Sequence, residues 1–232
     1  AADAHALTDS VRGVTKELQS NATTAESTNA DGLTAFGADG FSLGDDDIYN
    51  TNTESYVSWN WKAGTAFSND AGSNGATITS SGSTNQEAGF SIVSYSGNST
   101  SGATVFHNLS ASVAMIIVKD RSEARAWCVY HKELADDNKL NLNSTGAAAL
   151  PGTLQFDTSA NTTSVFGLGN NTATNNSSEN YIAYVFSEKS GYSKFGSYVG
   201  NGDADGTFIF LNFRPSWILI KRTDSADDWM IV

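Results

Sequence analysis

One cysteine is all the chain offers for redox chemistry. Cys128 has no second thiol to pair with, which excludes an intramolecular disulfide. It lies in the apolar run 127–130, where a small buried hydrophobe is expected rather than a reactive thiol. Only two prolines occur, Pro151 and Pro215, and both stand outside strand interiors or at a strand's first residue. Basic residues are scarce as well: 13 Lys and Arg face 25 Asp and Glu, for a net charge of −12. That surface repels phosphate backbones and anionic headgroups, so neither nucleic-acid binding nor membrane association is expected. No apolar run approaches 18 residues and no charged-then-apolar leader opens the chain, so no membrane insertion is expected.

Catalytic signatures are missing too. There is no Gly-x-Ser-x-Gly elbow, no His-Glu-x-x-His and no phosphate-cradling Gly-Lys-Ser/Thr loop. The three histidines, among them His107 and His131, are expected as packed or solvated side chains. Paired carboxylates of the glycosidase kind need two acids at a fixed separation across the scissile bond. Alternate acids such as Asp45/Asp47 and Asp203/Asp205 fall in Gly-rich loops, where Asp makes good turns. The expectation is a protein that is not an enzyme and uses no cofactor.

What the chain does have is repetition, and a repeat governs how a fold is read. MIIVK at 115–119 recurs as WILIK at 217–221, 102 positions later, and Trp127-Cys128-Val129 recurs as Trp229-Met230-Ile231 at the same spacing. YSGN at 95–98 recurs as YVGN at 198–201. GFSLG at 40–44 and SYVSW at 55–59 recur 125 positions on, as VFGLG and NYIAY. Asn21-Ala22-Thr23 precedes Asn143-Ser144-Thr145 by 122, which sets His5 on Trp127. The chain is thus expected to hold two sequence copies of about 100 residues, opening and closing inside the pattern.

Short apolar bursts separated by Gly, Ser, Thr and Asn predict many short strands. Strands are expected at 90–95, 104–109, 114–119, 126–131, 139–143, 153–156, 164–168 and 181–186. Residues 115–118 and 217–220 are apolar on both faces and are expected in the centre of a sheet. Val57, Trp59 and Trp61 share one face of a period-two segment, as Ile182, Tyr184 and Phe186 do in the second copy, so both segments are expected as core strands. Helical spacing at Leu7, Val11, Val14 and Leu18 competes with the repeat over residues 1–30, and extended structure is favoured there. Residues 63–88 are polar, with only Phe67 and Ile78 as anchors, and read as a linker or exposed loop. The fold class expected is all-β: an antiparallel β-sandwich. The open C-terminal element at 229–232 is expected to pair with the N-terminal half-copy. Residues 1–62 with 191–232 would then close one composite sandwich, and 89–190 the other, with one large sandwich as the competing outcome.

The best candidate for a binding loop is Asp45-Asp46-Asp47 with Tyr49 and Asn50. Several oxygens on a flexible loop could hold calcium, yet the repeat partner Asn170-Asn171-Thr172 loses all three charges. No metal is expected there. An Asx-rich structural loop is the stronger expectation, with Asp45, Asp47, Tyr49 and Asn50 as a speculative ligand-binding set in which Tyr49 offers an exposed aromatic ring.

The set SVRGVTKELQSN, DGFSLG, SYVSWNWKAG, GFSIVSYSGN, MIIVK, WCVYHKEL, NYIAYVF and GYSKFGSYVGNG resembles a repeated module of virion proteins from marine tailed bacteriophages, of the concanavalin A-like (laminin-G-like) sandwich type. The resemblance covers nearly the whole chain outside 63–87 and implies a jelly-roll-type β-sandwich on the virion surface. It implies a tail fibre, spike or capsid decoration that contacts other virion proteins, forms homo-oligomers and presents loops to host cell-surface glycans. A purely architectural module is the alternative it leaves open, with a polysaccharide-degrading enzyme as a third and less favoured one. It supplies no catalytic residues, and His5 departs from the Trp of the repeated element.

Overall fold

The computed structural model describes residues 4–232, and its regular elements are almost all antiparallel strands. They run β1 (Ala6–Leu7), β2 (Lys16–Gln19), β3 (Ser27–Thr28), β4 (Leu33–Phe36), β5 (Phe41–Leu43), a one-turn helix α1 (Asp47–Asn50), β6 (Thr65–Asn69), β7 (Ser80–Asn85) and β8 (Phe90–Ser96). The second half holds β9 (Ala103–Phe106), β10 (Met115–Asp120), β11 (Cys128–His131), β12 (Leu140–Asn141), β13 (Val165–Leu168), a second one-turn helix α2 (Thr172–Asn175), β14 (Asn180–Phe186), β15 (Leu219–Lys221) and β16 (Trp229–Ile231).

The backbone of the molecule is a seven-stranded sheet in the order β12-β11-β10-β14-β8-β7-β6. Strict alternation sends Ile116 and Val118 of β10, Ala183 and Val185 of β14, and Val93 and Tyr95 of β8 to one face. There they meet Val105, Phe166 and Leu168 of the β9–β13 pair, which forms the second layer of a sandwich. The opposite face carries Phe90, Ile92, Ile182 and Tyr184, packed with Trp127 and with Leu18 of the β1-β2-β3 sheet. Each fully covered aliphatic or aromatic side chain contributes about 1.5–3 kcal/mol. The protein is therefore an all-β, antiparallel sandwich, with its central sheet covered on both faces. β10 and β14 are continuously apolar because they sit in the middle of it, as the sequence predicts for 115–118.

Several expectations are corrected, among them the central placing of 217–220, which instead supplies β15 of a two-stranded sheet with Trp217 and Ile218 exposed. Residues 63–88 are not a linker. β6 and β7 form an antiparallel hairpin on the edge of the main sheet, and β7 pairs with β8 along its length. Ser80, Gly82 and Thr84 face inward there as small residues, and a Cβ on Gly82 would collide with Ile92 O and the Phe67 ring. Residues 56–61 are not a core strand: they take no regular structure, and Val57, Trp59 and Trp61 are exposed. The 229–232 element pairs with β15 instead of the N-terminal half-copy, in the register Leu219↔Ile231 to Lys221↔Trp229. The N-terminal segment is extended over β2, as favoured, and its Leu18 enters the core of the main sheet. Residues 89–190 thus share that core with the first 62 residues. Residues 153–156 form no strand, and Phe156 makes only a single bridge to Leu168.

Candidate functional site

The candidate loop folds from its own side chains. Asp46 caps α1, its Oδ1 accepting from Ile48 N at 2.9 Å, as Asp does wherever an extended residue meets free helical N–H groups. Asn50 Nδ2 donates to Gly44 O at 2.8 Å. Tyr56 OH donates to Asp47 O and accepts from Thr51 N, both at 3.0 Å. Tyr49 is half-buried with its ring against Gly32, where a Cβ would lie 2.8 Å from Cε2. Burial, then the nearby Glu17 carboxylate, raise its phenol pKa, and the half-buried ring packed on Gly32 is not a free platform. Asp45 and Asp47 remain exposed. Structure brings all four predicted residues onto one turn, with the Asn50 amide bonded internally and the Tyr49 ring half-buried.

The second turn repeats these bonds. Asn171 Oδ1 accepts from Ala173 N at 2.9 Å, Asn175 Nδ2 donates to Gly169 O at 2.8 Å, and Tyr181 OH donates to Thr172 O at 2.7 Å and accepts from Asn176 N at 2.8 Å. Here Asn175 is fully buried and also donates to Thr100 O and accepts from Asn98 N. The cap needs a side-chain oxygen, which Asn supplies as well as Asp, and this is why the charges of 45–47 are dispensable in the other copy.

Two polar clusters escaped the sequence reading because their members lie far apart in the chain. At the end of β10, Asp120 is buried. Its Oδ1 accepts from Ser122 N and Glu123 N, its Oδ2 from Arg125 Nε at 3.0 Å. Arg125 also reaches Glu179 Oε1 at 3.3 Å, and Tyr181 OH lies 2.9 Å from Glu179 Oε2. Burial, then the neighbouring Glu179, pushes the Asp120 pKa up. Burial works against the Glu179 charge, and its neighbours, among them the donors Asn176, Tyr181 and Arg125, more than offset it, holding that pKa down. Buried Lys119 donates to Asp120 O at 2.6 Å, and burial lowers its pKa to about 8. Between β14 and the N-terminal sheet, Tyr184 OH donates to Asp9 Oδ2 at 2.7 Å, and the same carboxylate pairs with buried Arg12. Arg12 and Arg121 both reach Glu26, at 3.3 and 2.9 Å.

These carboxylates resemble an acid–base pair in composition only. Their oxygens are occupied by cations and N–H or O–H donors of the fold, which suits a clamp between layers. Two surface hollows carry no exposed aromatic ring: one is lined by Ser68, Ser81, Ser94 and Asn180 beside buried Tyr95, the other by Lys62, Thr84, Gln86 and Asn108 among others. Among the described residues, no group of three or more His, Cys, Asp and Glu is placed to hold a metal, and no helix is long and apolar enough to cross a membrane. Cys128 is a buried free thiol whose pKa burial pushes up to about 11, as expected of a packing residue.

A family model described as a domain of unknown function, DUF7483, matches residues 1–232. The chain belongs to this family. No curated protein and no solved structure matches it. Within this DUF7483 chain, the large exposed side chains gather on 56–61 and 192–232, outside the main sheet. They include Trp59, Trp61, Tyr192, Tyr198, Phe208, Phe210 and Trp217. Period-two spacing at 57, 59 and 61 signals that surface, although periodicity alone reports a face and not what covers it.

Proposed function

We propose that this chain is a non-catalytic architectural module of a bacteriophage virion appendage (a tail fibre, spike or capsid decoration). The carrying observation is that its polar clusters and its Asx turns spend donors and acceptors inside the fold, while many large aromatic and aliphatic side chains are exposed, most of them within 56–61 and 192–232. Large exposed apolar patches mark contacts with other proteins. The resemblance of its repeated motifs to phage particle proteins supplies the setting, and other virion proteins and further copies of the module supply the partners. Electron cryomicroscopy or gold labelling of purified particles tests this. Density or label on a surface projection is the expected result, and absence of the chain from purified particles would overturn it.

Adhesion to host-surface glycans is a second reading, favoured by the exposed rings of Trp59 and Tyr198 in segments rich in Asn and Ser, since sugars stack on exposed aromatic rings. Screening the protein on an array of bacterial surface polysaccharides decides it. Retention on one glycan class, lost in Trp59→Ala or Tyr198→Ala, would establish adhesion, and an empty array leaves the architectural role alone.

A further inference from the structure

We propose that the hollow between the β6–β7 hairpin and the β9–β10 connection is a binding site for an uncharged sugar. The sequence repeat singles it out. Overlaying 55–59 on 180–184 and Gly89 on Gly191 leaves residues 63–88 opposite only 188–190 of the second copy. The first copy therefore carries an insertion, and insertions into repeats gather on one face, often the face that binds. This insertion is folded: it adds β6 and β7 to the edge of the main sheet, in register from Thr65↔Thr84 to Asn69↔Ser80. At the base of the hairpin, residues 62–65 and 84–87 meet Asn108 of the β9–β10 connection around a hollow of about 660 Å³. Gly64 has a positive φ, and a Cβ there would lie 2.5 Å from Thr84 O, so only glycine lets the two arms approach.

The lining differs from the other polar clusters in what it leaves uncommitted. Its frame is fixed: Gln86 Nε2 donates to Asn108 O at 2.9 Å and to Ser110 Oγ at 3.3 Å. Asn85 Nδ2 donates to Lys62 O at 3.3 Å, and its Oδ1 accepts from Ala88 N at 3.0 Å. Among the described residues, no hydrogen bond or ion pair engages Lys62 Nζ, the Glu87 carboxylate, the Thr65 hydroxyl, Gln86 Oε1 or the Asn108 side-chain amide. The Asp9 and Asp120 clusters turn their donors and acceptors on each other, whereas this one turns them to solvent. The set is balanced, with one ammonium, one carboxylate, and amides and a hydroxyl that offer both kinds of group. Neighbouring hydroxyls of a pyranose each donate and accept, and such a mixed set meets both demands. A charged ligand fits less well, since a chain of net charge −12 repels an anion and Lys62 repels a cation. An aromatic surface stands beside the amides: exposed Trp61 packs on Phe90 at 6.4 Å, and Phe90 is the register partner of Asn85. Polar groups that fix orientation beside an apolar wall are the usual make-up of a small-ligand site. The inference rests on the glycan reading above, and places the contact at the insertion instead of at Trp59 or Tyr198.

Magnetic-resonance titration of the isotopically labelled chain tests it, with glucose, galactose and mannose as probes and glucuronic acid and glucosamine as charged comparators. Saturating shifts of the side-chain amides of Asn85, Gln86 and Asn108 are expected with at least one of the neutral hexoses, and weaker binding with the charged sugars. Asn108→Gly removes the amide and keeps the left-handed backbone at φ 55, and Lys62→Met removes the charge and keeps the stem. Each loses one hydrogen-bonding partner of the sugar and should weaken binding about tenfold. Trp59→Ala and Tyr198→Ala should bind as wild type does. The absence of a saturating shift with all three hexoses would overturn the proposal, as would full-strength binding in both hollow variants. Hexose binding that is lost in Trp59→Ala while the amides of the hollow stay unmoved would also overturn this site, and would leave adhesion at the exposed rings standing.

Discussion

Residues 56–61 and β14 carry the same alternation of large apolar side chains after the same hydrogen-bonded turn, yet they end in opposite environments. In β14, Ile182 is 0% exposed and lies between β10 and β8, whereas Val57 is 79% exposed and has no ladder at all. A period-two face is a statement about the segment, and burial is a statement about its neighbours. β14 has those neighbours and residues 56–61 do not. Differences between like residues in the two settings should therefore measure what covering by neighbouring strands contributes.

The widest gap is expected at the paired tryptophans. Trp127 is fully buried, packs on Tyr184 and Leu18, and donates to Gln19 O and Ala22 O. Trp127→Ala removes that packing and should cost about 4 kcal/mol in chemical unfolding. Trp229 makes the equivalent hydrogen bond but is only partly covered, so Trp229→Ala should cost about 1 kcal/mol. Equal losses would mean that the two copies are equally closed in solution.

Ion pairs should separate next. Asp9→Ala leaves the buried Arg12 guanidinium without its closest carboxylate and strips Tyr184 of its acceptor, at a cost on the order of 3 kcal/mol. Asp224→Ala removes the partner of Arg222 beyond β15, where both groups are in water, and should leave the unfolding midpoint where it was. A marked loss from the Asp224 variant would show that this surface is covered in solution.

How much of this was legible follows from where the signal lived. β10 was readable because Met115-Ile116-Ile117-Val118 is apolar without interruption, and β14 because Ile182, Tyr184 and Phe186 alternate on one face. The equally apolar 217–220 shows that such a run does not fix its neighbours: it forms only part of the two-stranded β15–β16 sheet and stays partly exposed. The β6–β7 hairpin was not, because its inward face is built from Ser80, Gly82 and Thr84. Small size admits those residues, and hydropathy does not report size. The candidate loop was legible as an Asx-rich turn, but the partners of its side chains were hidden. Whether Tyr49 and Asn50 are free depends on Glu17, Gly32 and Gly44, which only the folded chain brings to them. The Asp120–Arg125–Glu179 and Asp9–Arg12–Tyr184 clusters join residues up to 175 positions apart and left no local trace.

Acid should act on the covered residues first. His107 is fully buried, with Nδ1 accepting from Leu109 N at 3.2 Å, and burial, partly offset by the backbone at Thr162, lowers its pKa to about 4. A depressed folded-state pKa means that the unfolded chain takes up the proton first. The stabilisation is complete above the unfolded value near 6.5 and drains away as pH falls toward 4, to a total of roughly 3 kcal/mol. Wild type should lose that much more than His107→Gln between pH 7 and pH 4, and parallel curves for the two proteins would remove His107 from the account.

The finest comparison is between two asparagines that do the same thing. Asn50 and Asn175 each donate Nδ2 to a glycine carbonyl six residues back, at 2.8 Å in both copies. Asn50 is exposed, so water replaces its amide in Asn50→Ala and the cost should stay under about 0.5 kcal/mol. Asn175 is sealed from solvent, and Asn175→Ala strands Gly169 O, Thr100 O and Asn98 N together, for which about 2 kcal/mol is expected. The hydrogen bond to glycine is the same in geometry and chemistry, so the difference isolates the covering of the turn. Chemical unfolding of both variants reads it, and equal costs would mean that Asn50 is as well covered as Asn175.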